Sequence, residues 1–141
     1  MRKNKSKYFF IETLIACFFL ALSISVCFSL LNNGYSIAKD NEIRSIAAIK
    51  SQNIAEIVKS VETDTQKIVE LTGGSVTDDG VMICYDDEWN EVSEDKSTYV
   101  IRVEISVDEG MLLANINVYE SELLYSLEVV KYLGSDVLNY G

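Results

Sequence analysis

One carboxylate, Glu12, lies inside an otherwise uncharged apolar run, Tyr8 to Leu31 (YFFIETLIACFFLALSISVCFSLL), which follows the basic leader MRKNKSK. An ionisable side chain in such a run is costly in a bilayer and points to function, with a partner of opposite charge. The chemistry available elsewhere is narrow. The 141 residues contain no histidine, which removes the commonest general base and metal ligand and any Ser-His or Cys-His nucleophile pair. Cys17 and Cys27 both belong to the apolar run, ~15 Å apart on a helix and too distant for a disulfide. Cys84 then reads as a small buried apolar residue. The other candidate is the acidic stretch Asp86 to Asp95, where Asp86, Asp87 and Glu88 are the residues from which a Ca²⁺ cage would be built. It lacks the glycine and terminal glutamate of an EF-hand loop, so a solvated connection is the favoured reading and no metal is expected. Trp89, within it, reads as a lid over the edge of a core. No catalytic residue and no cofactor is expected, and the chain reads as a non-enzyme.

The element that must position Glu12 is a membrane-spanning helix. About 20 apolar residues at ~1.5 Å rise each cross a hydrocarbon core of ~30 Å, and this run meets that length. Arg2, Lys3, Lys5 and Lys7 precede it, whereas Lys39 and Arg44 are mixed with Asp40 and Glu42 after it, which predicts a cytoplasmic N-terminus and everything beyond Leu31 outside. A cleaved secretory signal has a shorter apolar region ending at a small-residue site. Leu14-Ile15-Ala16-Cys17 looks like a lipid-attachment box, but the apolar run continues well past Cys17, where a lipoprotein would turn polar.

Charge is split along the chain. The leader's four basic residues leave 8 Lys/Arg against 22 Asp/Glu over residues 8–141, a net charge of −14 behind a total of −10. An acidic exterior argues against nucleic acid and against anionic lipid surfaces. Beyond the membrane the helical pattern persists. Ile43, Ile46, Ala47, Ile54, Ile57, Val58 and Val61 keep one apolar stripe, with Lys50 among the charges placed off it. No proline interrupts Tyr8 to Val61, so one helix of ~80 Å is expected, with a kink at Asn32-Asn33-Gly34. Thr63 and Gln66 have capping-box spacing, so residues 64–71 are a second helix or a continuation of the first. Gly73-Gly74 ends helical structure in either case.

From there the period becomes two. Val81 to Tyr85, Tyr99 to Val107, Leu112 to Val118 and Leu123 to Val129 read as strands with one wet face. Three-residue connections, Asp108-Glu109-Gly110 and Glu120-Ser121-Glu122, predict an antiparallel meander. The expected organisation is a leader (1–7), a transmembrane half-helix (8–31), an extracytoplasmic helix or helix pair (32–72) and an antiparallel β-sheet head (73–141), an α+β class in which sheet and stripe bury each other.

The leader and Tyr8-Phe9-Phe10-Ile11-Glu12-Thr13-Leu14-Ile15-Ala16 resemble the type IV prepilin and pseudopilin signature. There a glycine precedes the cleavage point and a Phe-Thr-Leu-Ile-Glu-like run follows. On that register Tyr8 is the first mature residue and Glu12 the fifth, and the resemblance covers residues 1–60. It implies a structural subunit of a type IV pilus, competence or type II secretion-like filament, cut and N-methylated by a prepilin peptidase at Lys7-Tyr8. Its partners would be other pilin-like subunits, inner assembly-platform proteins and membrane lipid. Glu12 would pair with the N-terminal amine of a neighbouring subunit, offsetting two charges each costly alone in an apolar bundle. Lys7 stands where the family has glycine, and no glycine precedes Gly34. A cut one residue earlier, after Ser6, would make Glu12 the sixth residue. The alternative is an uncleaved single-pass anchor carrying an extracytoplasmic binding module.

Overall fold

The computed structural model describes residues 2–134, so the leader's first residue and the last seven positions of the expected 73–141 head lie outside the described residues. Helix α1 runs from Arg2 to Val61, 60 residues without interruption, and the expected kink at Asn32-Asn33-Gly34 does not break it. With no proline to remove a donor, a single glycine costs the helix only about 1 kcal/mol.

Two compact units divide the chain, Met1–Glu42 and Ile43–Gly141. The boundary falls inside α1, because from Ile43 onward the helix side chains join the core of the sheet. In the first unit every side chain described, from Asn4 to Glu42, is exposed. Its long apolar run makes α1 the one helix among the described residues long and apolar enough to cross a membrane.

In the second unit α1 ends where Glu62 takes a left-handed conformation (φ 59) and its N–H donates to the Val58 carbonyl at 2.8 Å. This is an αL cap on a residue other than glycine. Lys131 holds it there, Nζ donating to Glu62 Oε1 and to the Lys59 carbonyl, both at 2.8 Å. A second helix, α2, spans Thr65–Thr72. Its N-cap is Asp64, not Thr63, with Asp64 Oδ1 accepting from Lys67 N–H at 3.2 Å, and that N–H holds the carboxyl below its usual range. Gly73 closes α2 in the left-handed region (φ 69), its N–H donating to the Val69 carbonyl at 2.8 Å.

Five antiparallel strands follow in sequential order, β1 (Ser75–Thr77), β2 (Gly80–Tyr85), β3 (Tyr99–Asp108), β4 (Met111–Tyr119) and β5 (Leu123–Tyr132). The meander thus begins earlier and ends later than the alternation predicts. The β3–β4 turn is shorter than predicted as well, since Asp108 pairs with Met111 and leaves only Glu109-Gly110, at φ 48 and 78, in the loop. Both residues at positive φ make it the primed turn that matches strand twist. Register places Val103 beside Ile116, Ile101 beside Val118 and Ile116 beside Leu127, so one face of the sheet is continuously apolar. Ile54, Val58 and Ala47 of α1 and Ile68 of α2 share one buried cluster with that face.

The opposite face is wet over β3 to β5, where Arg102, Glu104, Asn115, Asn117 and Glu128 are displayed. Strand β2 departs from this pattern. Cys84, on its outer face, is buried as well as Ile83 and Tyr85 on the inner one. The segment after β2 folds back over it, Val92 N–H donating to the Cys84 carbonyl at 3.0 Å. Burial pushes the Cys84 thiol up from its ordinary value, so it behaves as the small apolar residue expected.

Candidate functional site

Glu12 projects from α1 among apolar neighbours. The positions that face it on the same helix, three and four residues away, are Tyr8, Phe9, Ile15 and Ala16, none of them cationic. Nearby hydroxyls are satisfied within the helix: Thr13 Oγ1 donates to the Phe9 carbonyl at 2.9 Å, Ser23 Oγ to Phe19 at 2.9 Å and Ser25 Oγ to Ala21 at 3.0 Å. Such back-bonding lets a polar side chain sit in hydrocarbon at little cost. The carboxylate has no equivalent, since the ion pairs among the described residues are Lys67–Asp64 and Lys131–Glu62, both in the other unit. Lys7 and Tyr8, the residues flanking the expected cut, are helical and exposed. The structure does not bring Lys7 to the Glu12 of the same chain, because five residues of helix turn the two side chains about 140° apart.

The acidic loop resolves differently. Asp86 Oδ1 accepts N–H from Glu88 at 3.0 Å and from Asn90 at 2.8 Å, while Oδ2 accepts from Asn90 Nδ2 at 3.3 Å. These bonds hold its carboxyl below the usual range, the Asn90 N–H contributing most. Asp86 thus closes an Asx turn, with Oδ1 committed to two backbone N–H groups and Oδ2 to the Asn90 side chain. No group of three or more acidic or sulfur ligands with metal-holding geometry occurs among the described residues, Asp87 and Glu88 included.

No family model, curated protein or solved structure matches this chain. Its architecture, a long apolar N-terminal helix followed by an antiparallel sheet, is pilin-like.

The Asx turn does position Trp89. Held at φ 63, the indole stacks on Tyr99 with centroids 4.3 Å apart and planes at 3°, and lies 5.9 Å from the Tyr85 ring. It is buried and part of the core, covering its edge as a lid would. Two α1 residues that hydropathy leaves off the stripe are drawn into the head, Lys50 beside Trp89. Lys50 Nζ lies 4.7 Å from the Tyr85 ring centre and donates to the Trp89 carbonyl at 3.5 Å, its stem half-buried. Ser51 is fully buried, and its Oγ has no hydrogen-bond partner. These fill the gap in the apolar stripe between Ala47 and Ile54. The signal for them was the helical period itself, since positions 50 and 51 are one turn beyond Ile46 and Ala47.

Proposed function

We propose that this chain is a non-enzymatic, pilin-like membrane subunit whose apolar helix assembles with those of neighbouring subunits, in a type IV pilus, competence or secretion-like filament. The observation that carries this reading is Glu12: a lone carboxylate on an apolar helix, with no cationic side chain at the positions that face it. A charge so placed is tolerated where an assembled bundle supplies its counter-ion, and there it also fixes the axial register of subunits. The prepilin-like leader and the order of elements, apolar helix then antiparallel sheet, support the same reading. The N-terminus lies in the cytoplasm and the acidic head outside. The head carries no chemistry of its own in this account; its packed sheet gives the subunit a folded body to present.

Replacing Glu12 by Ala removes the charge while leaving an apolar helix that inserts at least as well. Membrane fractions should then contain Glu12→Ala at wild-type levels, with the variant missing from sheared surface filaments or cross-linked assemblies. Normal incorporation would end the proposal.

Lys7 favours a second reading, because it replaces the glycine that precedes the cut in the resembling family. An uncleaved single-pass anchor would carry the head as a binding module and never assemble. Mass spectrometry of the N-terminus separates processing from retention: an N-methylated Tyr8 demonstrates the cut, and an intact leader rules it out.

A further inference from the structure

We infer that in a chain retaining its leader, Lys7 is itself the counter-ion of Glu12, acting between copies: the ammonium of one subunit meets the carboxylate of the next. The inference rests on the reading that Glu12 serves assembly, and it names the partner. Both side chains are exposed on α1. Lys7 adjoins Tyr8, where the apolar run begins, so its ammonium stands at the membrane boundary while Glu12 lies ~7.5 Å deeper along the helix. The Glu12 side chain leans toward the N-terminus and so toward that boundary, and because Lys7 leans the same way and keeps its ammonium in water, an axial stagger between copies is what closes the remaining rise. Two parallel copies offset by a turn or less therefore bring the groups together.

Within one copy they cannot meet, being about 140° apart around the helix axis. That same angle dictates the kind of assembly. The Lys7 face of one copy docks on the Glu12 face of the next, a head-to-tail contact that leaves a free Lys7 at one end and a free Glu12 at the other. Such contacts propagate into a ring or a helical array and do not stop at a dimer. Lys5 is the competing cation. Seven residues before Glu12, it shares Glu12's face and would give a self-complementary dimer, but it lies ~10 Å away along the axis and a self-complementary pair has no stagger to close that distance. The residue that replaces the family's glycine thus supplies the positive charge that cleavage would otherwise create at Tyr8.

The test is charge reversal in the full-length chain, reconstituted in phosphatidylcholine vesicles with a C-terminal fluorescent fusion. Subunits per assembly are counted by photobleaching, and the intact mass is checked for Lys7. Lys7→Gln and Glu12→Gln should each lower association at least tenfold. The double swap Lys7→Glu with Glu12→Lys should recover at least half of it, Lys5→Gln should change nothing, and wild type should exceed two copies. Wild-type association by Lys7→Gln, or a swap that inserts but does not recover, overturns the inference. If Lys7→Gln associates normally while Glu12→Gln does not, the assembly reading stands and only this partner is wrong. If Glu12→Gln also associates normally, both fall. Assemblies that stop at two copies, or consist only of chains beginning at Tyr8, contradict the Lys7 contact as well.

Discussion

Ser51 is fully buried with an unpartnered hydroxyl, while Thr72, also buried, donates Oγ1 to the Ile68 carbonyl at 2.6 Å. A buried hydroxyl without a partner costs stability, and alanine fits the same small space with better helix propensity. Ser51→Ala should therefore stabilise the head by about 1 kcal/mol, read as a higher midpoint in denaturant with an unchanged slope; a lower midpoint would mean the hydroxyl has a partner. Tyr85 makes a second residue-scale prediction. Burial, with a smaller contribution from the Glu91 charge, pushes its phenol from 10.0 up to about 12. Between those values the unfolded chain has lost a proton that the folded chain keeps, so stability is complete below about pH 10 and falls as pH rises toward 12. Tyr85→Phe should flatten that alkaline loss in a series of melting curves. An unchanged pH dependence would show the phenol is not its source. Burial raises Tyr99 in the same direction, so some of the loss should persist in the variant.

At the scale of elements, Lys131 joins the edge strand β5 to the C-terminal end of α1. It neutralises the Glu62 carboxylate and occupies the Lys59 carbonyl, at the negative end of the helix dipole. Lys131→Met should cost about 1 kcal/mol and lower Tm by roughly 4–8 °C. An unaltered Tm would mean that the left-handed cap stands without it. Most elements were legible because their patterns are strong: alternation marks β3 to β5, a short continuous apolar run marks β2, and the stripe from Ile43 to Val61 marks the docked half of α1. The rest was not, for physical reasons. Ser75–Thr77 is short and wholly exposed, so β1 carries no alternation and forms because β2 offers an open edge. Asp108 has the composition of a turn residue but pairs with Met111, because Glu109-Gly110 suffices to reverse the chain. Thr63 drew the reading through its capping-box spacing to Gln66, whereas Asp64, the stronger cap by type, takes the position and accepts from the Lys67 N–H. Lys50 and Ser51 were passed over because hydropathy scores polar atoms, whereas a long aliphatic stem and a small side chain both pack.

For the whole molecule, the two units divide the physical tasks. Residues in the first expose large apolar side chains, Phe10 and Phe28 among them, that only lipid or other apolar helices can cover. The second buries its own core and carries the acidic surface that keeps it soluble. Glu12 was fully legible as a candidate, since a charge in an apolar run needs no tertiary context to be conspicuous. Its partner was not, because the helix offers no cation at the facing positions and the counter-ion proposed for it belongs to another chain. The central claim is therefore best tested by expressing Glu12→Val beside wild type and measuring the share of membrane-inserted protein that enters high-molecular-weight assemblies. The account predicts equal insertion and at least a tenfold smaller assembled share for Glu12→Val. Equal assembled shares would contradict it and leave the chain a solitary membrane anchor.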